Sequence, residues 1–233
     1  KLPLIHYKLI IMQLTLSKEA INKAIMAFEV SWSPQNGFAV YNKKYRKPVV
    51  PLPDTTSSGI TIGIGYDCGQ YSPVKIKLDW QSVLPQYMVN ALASVAGLKK
   101  QKAVAALPLV KMVDVPIEAA LQVFYHTTIY EFAKKAASIY PGLDKLNPVE
   151  QSVIVGLVYN RGASLVGERR REMRQLVAAI SREEDKGIAD IISAMVRLWP
   201  NIEGLRKRRL AEAALIEEPD ADVPESDQLK IIL

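Results

Sequence analysis

Cysteine, histidine and aromatic residues are all scarce in this chain. A single cysteine, Cys68, excludes an intrachain disulfide, so the fold must stand on packing alone, as expected of a protein folded in a reducing compartment. Two histidines, His6 and His126, with that lone cysteine cannot build an ordinary structural zinc site. No metal and no other cofactor is expected. Aromatics make up 7% of the residues, and they do not interleave with basic residues as in a platform for single-stranded nucleic acid. Nucleic acid is therefore not an expected partner. Long apolar runs are missing too. The N-terminal KLPLIHYKLIIMQLTL is apolar, but His6 and Lys8 interrupt it, it is too short to span a bilayer, and no small-residue cleavage site follows. It reads as a buried strand or packing segment of a soluble protein made in the cytoplasm without a signal peptide.

What is present is an ordinary globular composition. Apolar residues are 49% and charged residues 23% of 233, enough to fill the core of one domain with small appendages. Charge is unevenly spread. Residues 216–233 hold six acids and one lysine, a net −5, so the formal +6 of the whole chain leaves +11 on residues 1–215. A basic body favours polyanions: nucleic acid, an anionic membrane or the anionic bacterial wall.

Helical signals dominate from about residue 75 onward. Before that, Ser17 can cap a helix over KEAINKAIMAFEV, with Ile21, Ile25 and Phe28 on one side and Glu29 at its end. A carboxylate at the negative end of a helix needs a tertiary reason. Residues 33–67 read as a small irregular β region, with Asn36-Gly37 and Pro51-Leu-Pro-Asp54 punctuating extended runs at FAVYN, KPVVPL and GITIGIGY. After Tyr71-Ser72-Pro73, helical patterns cover residues 77–97 and 116–139. Asn147-Pro148-Val149-Glu150 has the form of a capping box with proline at the first helical position. The helix it opens is apolar nearly all round, which marks it as buried and central. Ser181-Arg-Glu-Glu184 reads as the start of a helix reaching Trp199-Pro200, and LRKRRLAEAALI as a last helix. The acidic residues 217–233 read as a C-terminal tail. The fold class is thus α+β with helix predominating.

One segment carries recognisable chemistry. SGITIGIGYD, residues 58–67, resembles the Thr-Ile-Gly-x-Gly signature of phage-type lysozymes (glycoside hydrolase family 24), and its Tyr-Asp ending is similar to the pesticin-like muramidases. Two further segments follow in the family's order. Val158-Tyr159-Asn160-Arg161-Gly162 resembles the Phe-Asn/Gln-x-Gly element that lines the sugar groove. Gly204-Leu205-Arg206-Lys207-Arg208-Arg209 with Ala211-Glu212-Ala213 resembles the C-terminal Gly-Leu-x-x-Arg-Arg-x-x-Glu helix. The resemblance spans about residues 17–216. It implies a lysozyme-like muramidase domain there, with a β lobe at about 33–70, between an N-terminal extension (1–16) and the acidic tail (217–233).

Hydrolysis of a glycosidic bond needs a carboxylic acid at the leaving oxygen and a second group that orients water or stabilises positive charge. A glutamate at a helix end facing a small β lobe can be desolvated enough to serve as that acid, and Glu29 fits. Gly63 and Gly65 clear one face of the strand for a substrate or another backbone. In an unbroken strand Thr61 and Asp67 would stand about 20 Å apart, so a turn near Gly65-Tyr66 must bring Asp67 back if the two act together. The phage-type spacing Glu-x8-Asp-x5-Thr is not met, because the ninth residue after Glu29 is Phe38. Asp67 or Asp54 can supply the second carboxylate, and Asp67 is the preferred choice. The resemblance implies cleavage of the β-1,4 bond between N-acetylmuramic acid and N-acetylglucosamine. Glu29 would act as acid, Thr61 and Asp67 would hold the water, and Tyr66, Asn160 and Arg161 would contact substrate.

Each of these residues also has a plainer reading. Asp67 can cap a turn, Cys68 can be a small buried hydrophobe, and Gly162 can end the buried helix. Arg169-Arg170-Arg171 and Arg206–Arg209 can be solvated helix faces or an attraction for an anionic wall. The expected partners are bacterial peptidoglycan and an inhibitor or immunity protein. The expected roles are endolysin, bacteriocin or antibacterial effector. A non-catalytic wall-binding protein and a lytic transglycosylase are the alternatives.

Overall fold

A computed structural model describes residues 12–54, 57–218 and 222–233. The fold is α+β and helix dominates it. Two compact units divide the chain, one formed by the residues before Asn22 together with those from Ala133 onward, the other by Asn22–Phe132.

The first unit is organised by the helix Pro148–Arg161. Its start is built as the sequence predicts. The Asn147 side chain accepts from the N–H groups of Val149 and Glu150, and the Glu150 carboxylate accepts from the N–H of Asn147. Every residue from Glu150 to Val158 is buried, so polar side chains on this helix need partners inside the protein. Two of them hold the strand Gln13–Ser17. Gln151 Oε1 accepts from Thr15 N–H at 2.7 Å, and Ser152 Oγ accepts from Ser17 N–H at 2.8 Å. Ser17 then caps the next helix by accepting from Ala20 N–H, as expected.

The last residues are not a free tail. Gln228–Ile232 forms a strand antiparallel to Gln13–Ser17, in register from Gln13↔Ile232 to Ser17↔Gln228. Leu14, Leu16 and Ile231 are buried in this ribbon. Asp227 ties it down by accepting from Ser17 Oγ at 2.6 Å and from Glu19 N–H at 3.0 Å. Residues 1–11 of the N-terminal extension lie outside the described residues.

A second correction concerns Ser181. It ends the helix Arg171–Ser181, and its hydroxyl donates to the Pro141 carbonyl rather than capping a new helix. Glu183 adopts a positive φ of 56°, and the next helix is Asp185–Ala194. In the C-terminal helix Glu203–Glu217 the basic run divides, with Arg206 and Lys207 exposed as a solvated face and the next two arginines turned inward. Arg208, Arg209 and Glu212 are all buried. Glu212 Oε1 accepts from Arg209 Nη2 at 2.7 Å and from Arg208 Nε at 3.1 Å.

In the second unit a π-helical turn, Asn22–Met26, leads into Ala27–Glu29, which places Glu29 at a helix end as expected. The run at 38–42, expected as extended, is instead part of the helix Ala39–Lys44. Burial of Tyr41, whose hydroxyl donates to the Val115 carbonyl, outweighs the β preference of Val and Tyr. The pattern at 77–97 resolves into two helices, Pro73–Trp80 and Gln86–Ser94. Ser72 caps the first of them by accepting from Lys75 N–H.

The ribbon supplies a stability test. Ile231→Ala should lower the unfolding free energy by about 2–4 kcal/mol in urea titrations, whereas Ile232→Ala, at 62% exposure, should stay within about 0.5 kcal/mol of wild type. Equal, negligible effects would show that the C-terminus is not packed.

Candidate functional site

The Thr-Ile-Gly-Ile-Gly segment is a tight hairpin. Thr61–Ile62 pairs antiparallel with Tyr66–Asp67, so Ile62 opposes Tyr66 and Thr61 opposes Asp67. The turn is Gly63-Ile64-Gly65, with φ of +57° at Gly63 and +68° at Gly65, a region that only glycine enters without cost. Gly63 is constrained twice, since a Cβ there would lie 3.2 Å from Trp80 Cη2 and 3.4 Å from Ala120 Cβ. The turn therefore returns Asp67 to the position beside Thr61 that joint action requires.

Thr61 is also bridged on its other side. Its N–H donates to the Val49 carbonyl at 2.7 Å, and its carbonyl accepts from Val49 N–H at 3.0 Å. Glu29, Tyr45, Lys47, Val49, Thr61 and Gly63 line one cleft of about 290 Å³. The structure thus brings two of the expected catalytic residues, Glu29 and Thr61, to the same concavity.

Asp67 sits differently. Its Oδ1 accepts from Gly59 N–H at 2.9 Å and Gly69 N–H at 2.8 Å, and its Oδ2 accepts from Gln70 Nε2 at 3.2 Å. The two glycine backbones nearly touch. A Cβ on Gly59 would lie 2.6 Å from Gly69 Cα, so neither position can carry a side chain. Asp67 clamps this crossing. A carboxylate has about four acceptor sites, so Oδ2 keeps capacity for a further donor such as water. Asp54, the alternative carboxylate, is exposed and accepts from Gln101 Nε2 at 2.7 Å.

Tyr66 belongs to the core, not to an open surface. It is 2% exposed, stacks on Tyr71 at 4.6 Å and meets the Trp80 ring edge-on at 5.3 Å. Its hydroxyl donates to Asp79 Oδ2 at 2.7 Å, and burial followed by that bond pushes the phenol well above its ordinary range. The expected substrate contact by Tyr66 is replaced by support of the hairpin from beneath. Lys75 extends the support, reaching Asp79 Oδ1 at 2.6 Å and Glu131 Oε1 at 2.8 Å. The Lys75–Asp79 pair has i,i+4 spacing on a capped helix, a signal visible in the sequence; Glu131 is far along the chain and had none. Buried Cys68 has its thiol pushed up to about 12 by burial, with Asp67 adding to it. It is an inert packing residue.

Asn160 and Arg161 end the central helix of the first unit and line another cleft, of about 640 Å³, with Arg169, Arg170, Trp199 and Leu205. Arg161 lies over the Trp199 ring at 4.9 Å, a cation–π contact. Gly162 follows at φ +74° and ends the helix, its N–H donating to the Val158 carbonyl.

Residues 36–194 match the model of DUF8812, a domain of unknown function. The chain belongs to the DUF8812 family. No curated protein matches it. The DUF8812 match includes Thr61, Asp67, Asn160 and Arg161 and begins after Glu29. Among the described residues of this DUF8812 protein, no three or more His, Cys, Asp or Glu side chains come together to hold a metal ion. No helix there is long and apolar enough to cross a membrane.

The clamp can be tested apart from any activity. Asp67→Ala strands two backbone N–H groups and should cost about 1.5–3 kcal/mol of stability, read by urea unfolding. Asp67→Asn, which keeps an oxygen acceptor for both glycines, should recover most of that loss.

Proposed function

We propose that the chain is a peptidoglycan hydrolase, a muramidase that cleaves the β-1,4 bond between N-acetylmuramic acid and N-acetylglucosamine. The observation that carries this reading is the shared cleft of Glu29 and Thr61, with Asp67 opposite Thr61 in the hairpin. The resemblance of residues 58–67, 158–162 and 204–213 to phage-type and pesticin-like lysozymes supplies the substrate.

Glu29 is the proton donor to the leaving oxygen. It stands half-buried among Tyr45, Val49, Pro51 and the bare backbone of Gly63 and Gly65, where little water surrounds the bond it protonates. Thr61 presents a hydroxyl that can orient the attacking water. Asp67 would take that water's proton through the remaining capacity of Oδ2, while Oδ1 stays with Gly59 and Gly69. Its clamping role suits the task, because a carboxylate fixed by backbone donors needs no reorganisation during the reaction. Asn160 and Arg161 offer a separate contact to the wall polymer from their own cleft in the first unit. Action on the wall fits an endolysin, a bacteriocin or an antibacterial effector, with an inhibitor or immunity protein as partner.

Purified protein incubated with isolated peptidoglycan should release new reducing ends. Glu29→Gln should lower the rate at least about 100-fold in a variant that still folds, the scale of a lost general acid. Absence of new reducing ends from wild type would reject the hydrolase and leave a wall-binding protein. Products with 1,6-anhydro ends would make the enzyme a lytic transglycosylase. Asp67→Asn separates clamp from chemistry: a folded but slow variant supports its role with water, and full activity moves that role to Asp54.

A further inference from the structure

The arginines of the first unit are sorted into paired and unpaired sets. Glu168 pairs with Arg171 at 3.4 Å and Arg197 at 3.4 Å, and buried Glu172 pairs with Arg171 at 3.2 Å and also with Arg197. Buried Glu212 is occupied by Arg208 and Arg209. These three carboxylates thus each have arginine partners, Glu168 at the cleft itself. Arg161, Arg169 and Arg170 make no salt bridge within 4.0 Å among the described residues, although Glu172 and Glu212 attract Arg161 from farther off; all three line the 640 Å³ cleft, beside Glu168.

Their hydrogen bonds are those of groups held ready rather than neutralised. Arg161 Nε and Arg170 Nη1 donate to the Met173 sulfur at 3.4 and 3.1 Å, and Arg161 Nη2 donates to the Arg169 carbonyl. The Trp199 ring fixes the Arg161 guanidinium from one face. Burial, with Arg170, Arg209 and Arg169 adding repulsion, pushes Arg161 down to about 10, so it keeps its charge at neutral pH. Crowding three like charges in one concavity is unfavourable unless an anion joins them, and planar guanidiniums match carboxylates in two-point contacts. The cleft also has apolar walls at Val166, Trp199 and Leu205, which suit a small organic body better than a bare ion.

We propose that this cleft binds the carboxylate of a short peptide through Arg161, Arg169 and Arg170. The identity of that peptide rests on the hydrolase reading, under which it is the acidic peptide arm hanging from the glycan. The binding chemistry does not. Arg161 grips the carboxylate, Arg169 and Arg170 close on it from the adjoining segment, and the apolar walls receive the peptide's small side chains.

The test uses the full chain and calorimetric titration with N-acetyl-Ala-Glu, its diamide with both carboxylates blocked, and inorganic phosphate. The dipeptide should bind, and the diamide and phosphate at least tenfold more weakly. The Arg169→Gln/Arg170→Gln double variant should lose at least tenfold in dipeptide affinity with unchanged melting temperature, and raising the salt should weaken wild-type binding. Equal binding of dipeptide and diamide, absence of dipeptide binding, or phosphate binding as tightly as dipeptide overturns the proposal. The two readings fail separately. Wall hydrolysis without dipeptide binding removes this site and leaves the enzyme; dipeptide binding without hydrolysis does the reverse.

Discussion

Two backbone N–H groups, those of Gly59 and Gly69, point at one carboxylate oxygen of Asp67. The glycines have to cross at near contact for this to happen, and an N–H pair brought together without an acceptor would be left unsatisfied where the loops close. Asp67 removes that penalty and fixes the ends of the hairpin at once. With its ends fixed, the Gly63–Gly65 turn can take its positive-φ course over Trp80 and Ala120, and Thr61 is held between Val49 and Asp67. The cleft shared by Glu29 and Thr61 is therefore a consequence of the clamp. Beneath it, the Tyr66–Asp79–Lys75–Glu131 chain of bonds leaves little freedom for the same hairpin to tilt.

The first unit solves a different problem. A helix buried along nine consecutive residues cannot leave Gln151 and Ser152 without partners, and the N-terminal strand supplies them through the N–H groups of Thr15 and Ser17. That strand would present an open edge on its other side. The C-terminal strand covers it, so the two ends of the chain join in one ribbon. Asp227 belongs to this closure through Ser17 and Glu19.

What was legible in the sequence was local. Ser17, Ser72 and the Asn147–Glu150 box cap helices because a capping side chain bonds to backbone within three residues of itself. The all-round apolar character of residues 149–158 foretold burial; the glycines of Thr-Ile-Gly-Ile-Gly read as clearing a strand face, whereas they form the turn itself, one or two residues before the turn that joint action of Thr61 and Asp67 called for. Nonlocal pairing was opaque. Gln228–Ile232 has only a short alternation of apolar and polar residues behind six acids, and its partner strand lies more than 200 residues away. Ala39–Lys44 is helical because Tyr41 has a distant acceptor at Val115. By resemblance Tyr66 reads as a substrate contact, and only its packing on Trp80 and its bond to Asp79 assign it to the core.

The excess of positive charge resolves only when each arginine is followed to its partner. By sequence, Arg206–Arg209 and Arg169–Arg171 are equivalent basic runs. In the fold they diverge, since Arg208 and Arg209 go inward to share Glu212 and Arg171 turns to Glu168 and Glu172. A buried pair of this kind contributes little net stability but is costly to break, so those arginines are bound to the architecture and unavailable to a ligand. Arg161, Arg169 and Arg170 instead gather around one concavity with a tryptophan wall. Local concentration of unpaired guanidiniums favours a particular anion in a particular place, whereas a diffuse field steers any anion toward the whole surface.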